Sequence, residues 1–75
     1  MNLLDVPKGK SVRIVDFLGG KSVFYKLVQL GLSPGRIVKV LRYAPMGGPL
    51  MLDVEGRSVA LGRRIAARIQ VEVVK

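Results

Sequence analysis

The side chains that could carry chemistry in this chain are few. Its acids are Asp5, Asp16, Asp53, Glu55 and Glu72, and it contains no histidine and no cysteine. Common general bases, covalent nucleophiles and borderline metal sites are built on imidazole or thiolate, so those routes are closed. The carboxylates are scattered over predicted strands and turns, which reads as solvated surface rather than an acid–base pair or a ligand cage. No catalytic residue, metal ligand or cofactor site is therefore expected.

Two other patterns deserve the same test. Gly19-Gly20-Lys21-Ser22 ends in the Gly-Lys-Ser of a phosphate-binding loop, but the full motif needs a glycine where Val15 stands, and its fold needs a parallel sheet too large for this chain. The segment reads instead as a helix entrance. The second pattern is charge: Lys+Arg 13 against Asp+Glu 5 gives a net +8, which favours an acidic partner such as nucleic acid, an acidic protein face or anionic lipid. That charge is spread evenly, with six basic and two acidic groups in residues 1–37 and seven and three in residues 38–75, so the sequence has no basic tail. Arg63, Arg64 and Arg68, joined by Lys21, form one local cluster suited to an acidic surface or a phosphate. Phe17, Phe24, Tyr25 and Tyr43 are not interleaved with these arginines as base-stacking platforms require.

The elements that must position these groups are short. A single domain over residues 1–75 is expected, and a domain of this size buries only about 60% of its unfolded surface, so its core must be dense. The 49% hydrophobic content, mostly Val, Leu and Ile, supplies one. Met1–Gly9 reads as a packed lead-in ending at a turn. Ser11–Phe17 alternates as a half-buried strand, with Val12 and Ile14 on one face. Over Lys21–Leu30, Val23, Phe24, Leu27, Val28 and Leu30 recur at helical spacing; Gly31, Leu32 and Pro34 stop that helix. Ser33-Pro34-Gly35-Arg36 predicts a type II turn. Arg36–Tyr43, Leu50–Val54, Ser58–Leu61 and Ile69–Val74 read as strands, Glu55-Gly56 as a tight hairpin turn, and Gly62–Ala67 as one helical turn carrying Ile65 and Ala66 inward. Five strands and one helix predict a mainly β fold, a small barrel whose closure removes sheet edges.

With Val38 and Val40 inward, Ile37, Lys39, Leu41 and Tyr43 would share the outer face of their strand. Met51 on the next strand and Met46 in the Pro45–Pro49 loop would extend it into an apolar, polarizable patch for protein contact or self-association. The absence of cysteine fits a reducing compartment. Met1–Lys10 holds no signal-peptide apolar run, and nothing approaches about 20 consecutive apolar residues. A cytoplasmic protein is expected, with any membrane link running through a partner and no direct insertion.

Read in order, these turn signals are familiar. Leu27-Val28-Gln29-Leu30-Gly31-Leu32-Ser33-Pro34-Gly35 resembles the L-x-x-L-G-L-x-P-G of the FeoA family, and Ala44-Pro45-Met46-Gly47-Gly48-Pro49 resembles its A-P-x-G-G-P loop. Val54-Glu55-Gly56, Val59-Ala60-Leu61, and Ala66 followed by Ile69 are similar to its ending. Gly62 and Arg64 depart from it, standing where basic and acidic residues are common. The resemblance implies a Src-homology-3-like barrel related to the C-terminal domain of DtxR-type repressors. It also implies an accessory role in ferrous iron uptake, acting on the membrane transporter FeoB, which carries a cytoplasmic G-protein domain. The family link concerns iron transport as a process, because this chain offers no His-carboxylate cluster to hold the ion. A nucleic-acid-binding basic barrel is the alternative function.

Overall fold

A computed structural model describes residues 1–74. Its elements run in chain order: a 3-10 turn at Leu3–Asp5, β1 at Ser11–Phe17, α1 at Lys21–Gln29, β2 at Ile37–Tyr43, β3 at Leu50–Val54, β4 at Arg57–Leu61, α2 at Arg63–Ala66 and β5 at Ile69–Val73. The expected elements are present with ends shifted by a residue or so. The lead-in is more ordered than a generic packed segment, because a reciprocal cap holds it. The Asn2 side chain accepts from the Leu4 amide at 2.8 Å, and Asp5 accepts from the Asn2 amide at 2.9 Å. Leu3 and Val6 are thereby turned into the core.

All neighbouring strands pair antiparallel in the order β4-β3-β2-β1-β5. Among the described residues no ladder joins β4 to β5, so the sheet curls without closing into a fully paired barrel. The chain covers one edge with its own start: Asn2 bridges Gln70, and the Val71 amide donates to Met1 O at 2.9 Å. Four residues of α2 turn the corner from β4 to β5, and the expected mainly β fold of five strands is present.

Alternation along the strands puts Val12, Ile14, Val38, Val40, Leu50, Leu52, Val54, Val59, Leu61, Ile69 and Val71 into one core, joined by Leu27, Leu32 and Ala66. Among the described residues no polar or charged one is buried with them. Two-residue hairpin geometry fixes the β3–β4 register: Glu55 and Gly56 have φ of 52° and 84°, as a type I′ turn requires, and Val54 faces Arg57 across it.

The helix α1 is too short to persist alone, and its N-cap Gly20 provides no side-chain bond. Its other end compensates. The Leu32 amide donates to Leu27 O at 2.9 Å and the Gly31 amide to Val28 O at 2.9 Å, the Schellman pair, with Gly31 at φ 86°. Leu27 and Leu32 are fully buried beside this cap, each contributing about 1.5–3 kcal/mol of burial. The type II turn follows as expected, with Gly35 at φ 91° and the Arg36 amide on Ser33 O at 3.1 Å. Replacing Gly31 by Ala forces an L side chain into the left-handed region and brings its Cβ within 2.7 Å of the Arg57 guanidinium. Arg57 can swing away but the backbone cannot, so urea unfolding of Gly31→Ala should show a loss of about 1–2 kcal/mol. An unchanged midpoint would contradict the cap's role.

Candidate partner-binding surface

The face expected from β2 does not form as alternation alone predicts. Lys39 pairs with Asp53 and Val40 with Leu52, but Arg42, not Leu41, faces Met51, and Tyr43 faces Leu50. The bulge at Leu41 inserts one residue and reverses the alternation after it. Ile37, Lys39 and Met51 therefore lie on the outer face, Leu41 is the partly buried bulge residue, and Tyr43 turns toward the core. Its placement beside Ile37 and Lys39 is corrected by this register shift.

Once inside, Tyr43 ties the lead-in to the sheet. Its hydroxyl donates to Val6 O at 2.6 Å, with Leu3 O and Leu4 O at 3.3 Å. Burial raises its pKa above the ordinary 10.0, the Arg63 guanidinium lowers it, and Asp5 raises it. That guanidinium sits over the Tyr43 ring, 5.5 Å from its centroid. From there Nε donates to Gly48 O at 3.0 Å and Nη2 to Ala44 O at 3.2 Å. Arg63 is thus engaged in fastening the Ala44–Pro49 loop to α2.

The fastened loop makes a sharp turn. Met46 and Gly47 have φ of 59° and 72°, and the Gly48 amide donates to Pro45 O at 3.1 Å, the pattern of a type I′ turn. A Cβ on Gly48 would lie 2.9 Å from the Ala44 Cβ, so this position admits no side chain. Met46 stands fully exposed at the tip. Arg64 and Arg68 are also exposed. Arg68 leaves the other two arginines: its Nη1 lies 3.6 Å from where a Cβ on Gly19 would sit, at the entrance of α1 and near Lys21 in sequence. The expected cluster is therefore divided between the loop and the helix entrance.

A surface that the sequence reading left out lies on α1. Phe24, Tyr25 and Val28 are 41%, 61% and 39% exposed, and Leu18 before the helix is 54% exposed. The expected apolar stripe is in fact two stripes, with Val23, Leu27 and Leu30 on the packed side. The outer rings are ordered: Phe24 meets Phe17 edge-on at 5.7 Å between centroids and Tyr25 at 5.9 Å. The signal was available, since a nine-residue helix beside a small core has no use for aromatic residues on a second face. Among the described residues no group of three or more acids comes together to hold a metal ion. No helix among them is long and apolar enough to cross a membrane.

The Tyr43 network is open to an alkaline test. A tyrosine whose folded pKa exceeds its unfolded value adds stability that is complete below the unfolded pKa near 10.0 and is lost as pH rises through the folded pKa. The stability difference between the native chain and Tyr43→Phe should therefore shrink above that pH, having been about 1 kcal/mol in favour of the native chain at neutral pH for the lost bond to Val6. A difference independent of pH would contradict this account.

Comparison with known proteins follows the same lines. A sequence profile of the FeoA domain matches residues 1–73. A protein of Methanocaldococcus jannaschii assigned as Fe(2+) transport protein A is 31% identical over 65 residues, covering 87% of this chain and 77% of its own. The crystal structure of an iron uptake regulatory protein, FeoA, superposes with a TM-score of 0.88 at 32% identity, covering 99% of this chain and 96% of the other. The repressor ScaR, solved with bound Cd2+, superposes with a TM-score of 0.88 at 22% identity over 99% of this chain and 35% of its own, a likeness of fold alone. With its Src-homology-3-like sheet, its L-G-L-x-P-G cap and its A-P-x-G-G-P loop, the chain belongs to the FeoA domain family.

Proposed function

We propose that this chain is a non-catalytic, cytoplasmic accessory protein of ferrous iron uptake that binds the cytoplasmic G-protein region of a FeoB-type transporter and modulates it. The observation that carries the reading is the family match over residues 1–73, alongside a relative assigned to Fe(2+) transport. The chemistry of the chain supports a role by contact. It has no imidazole or thiolate, its acids do not gather, and its apolar surplus stands on the surface as Leu18, Phe24, Tyr25 and Met46. The candidate contact residues on the sheet and loop, Ile37, Lys39, Met46 and Met51, with the exposed Arg64 and Arg68, are one location for that contact; the outer face of α1 is the other. Tyr43 and Arg63 would act through the loop they hold.

A nucleic-acid partner has the net charge of +8 in its favour. Against it, Arg13 pairs with Glu72, Arg36 pairs with Glu55, and Arg63 bonds backbone carbonyls, so these three arginines are already engaged within the fold. Isothermal titration of the purified chain against the cytoplasmic region of its own organism's transporter should show binding in at least one nucleotide state. Titration against duplex DNA and single-stranded RNA at two salt concentrations should show none that survives physiological salt. No binding to the transporter in any nucleotide state, or tight salt-dependent binding to nucleic acid, would contradict the reading.

A further inference from the structure

The helix α1 carries more apolar surface than the fold uses. Lys21, Phe24, Tyr25 and Val28 are spaced three and four apart and so lie along one exposed face, opposite the stripe that packs on the core. Leu18 precedes them, one residue beyond Phe17, whose ring backs Phe24. A helix apolar on both faces is ordinarily covered on both. Among the described residues none covers this one.

The ordering of the rings and the charge around them define the cover. Phe24 is held edge-on between Phe17 and Tyr25, so the stripe is pre-arranged and costs little conformational entropy on binding. Lys21 heads the stripe, and Arg68 reaches the same end of the helix beside Gly19. Among the described residues neither makes an ion pair. The acid carried by the adjoining end of β1, Asp16, accepts the Phe17 amide at 2.8 Å.

We propose that this face is a docking surface for an amphipathic helix of another protein, one whose apolar stripe ends in carboxylates. From Lys21 to Val28 the stripe rises about 10 Å, two helical turns, which an opposing helix of about three turns spans at ordinary packing distance. The apolar stripe meets Phe24, Tyr25, Val28 and Leu18, and the carboxylates meet Lys21 and Arg68. A second copy fits poorly: the contact would bring together two chains of net charge +8, and the stripe itself offers no carboxylate to the Lys21 and Arg68 of the other copy. An anionic bilayer would meet the same two cations, and the test separates it from a helix. The proposal rests on the functional reading above only for its first probe.

The test uses the full chain, isotopically labelled, and its amide spectrum. The first probe is the transporter's cytoplasmic region; the second is a synthetic helix with a leucine stripe and glutamate flanks, beside the same helix with lysine flanks. Both the transporter region and the glutamate helix should shift the resonances of Leu18, Phe24, Tyr25 and Val28. The pairs Phe24→Ser with Tyr25→Ser, and Lys21→Glu with Arg68→Glu, should each weaken binding by about tenfold or more. Unchanged dispersion of the spectrum shows that the variants are folded, and Tyr25→Ser alone, at the more exposed ring, gives a second reading. If the transporter region binds but neither pair weakens it, this surface is overturned and the functional reading stands. If the transporter region does not bind at all, the functional reading fails and the glutamate helix alone judges the surface. Equal affinity for glutamate and lysine helices, or shifts confined to another face, overturns it. So does capture by phosphatidylglycerol vesicles, or self-association, that the Phe24→Ser and Tyr25→Ser pair abolishes.

Discussion

One core, lined on every side by a single narrow apolar face from each element, governs the arrangement of this chain. Its members come from the lead-in, all five strands, both helices and the turn after α1, and among the described residues no polar side chain is buried with them. A domain of this size has room for little more. Whatever apolar surface an element carries beyond its one inward face must therefore stand in solvent or be covered by something else. That limit explains why Leu27 is buried while Phe24, one turn back on the same helix, is not.

Polar interactions work at the margins of this core, where they decide direction. The bulge at Leu41 turns Tyr43 inward, and its hydroxyl then fixes the lead-in through Val6. Arg63 stacks on that ring and bonds Gly48 and Ala44, which holds the turn that displays Met46. Met46 occupies a left-handed conformation that a methionine adopts only under restraint from its surroundings. Lead-in, sheet, loop and α2 are thus joined through one tyrosine and one arginine. Arg63 contributes by position more than by its charge toward any partner.

Much of the fold was legible because its punctuation has a direct physical meaning. Gly31 with Leu32 and Pro34 can end a helix in few ways, Ser33-Pro34-Gly35-Arg36 names its turn, and Glu55-Gly56 sets the hairpin register. The face of β2 was less legible, because a bulge changes alternation without any marker in Arg36–Tyr43 itself; the reversal is set by pairing with β3. The division of the arginines was hidden for a related reason. Arg63, Arg64 and Arg68 are neighbours in sequence, but α2 and the start of β5 send Arg63 to the loop and Arg68 to the entrance of α1. The second stripe of α1 was present in the residues, but helical spacing gathers Val23, Phe24, Leu27, Val28 and Leu30 into one broad stripe until burial separates the two sides. Open sheet edges likewise depend on which strands meet, and the order β4-β3-β2-β1-β5 leaves β4 at one of them.

The proposed docking contact lies on the outer rings of α1. Hydroxyl-radical footprinting of the chain, free and bound to the transporter's cytoplasmic region, reads this directly, because aromatic and methionine side chains report their own exposure. With the contact there, Phe24 and Tyr25 should become protected in the complex while Met46 and Met51 react as in the free chain. Protection of Met46 and Met51, with Phe24 and Tyr25 unchanged, would contradict it and move the contact to the β2–β3 face.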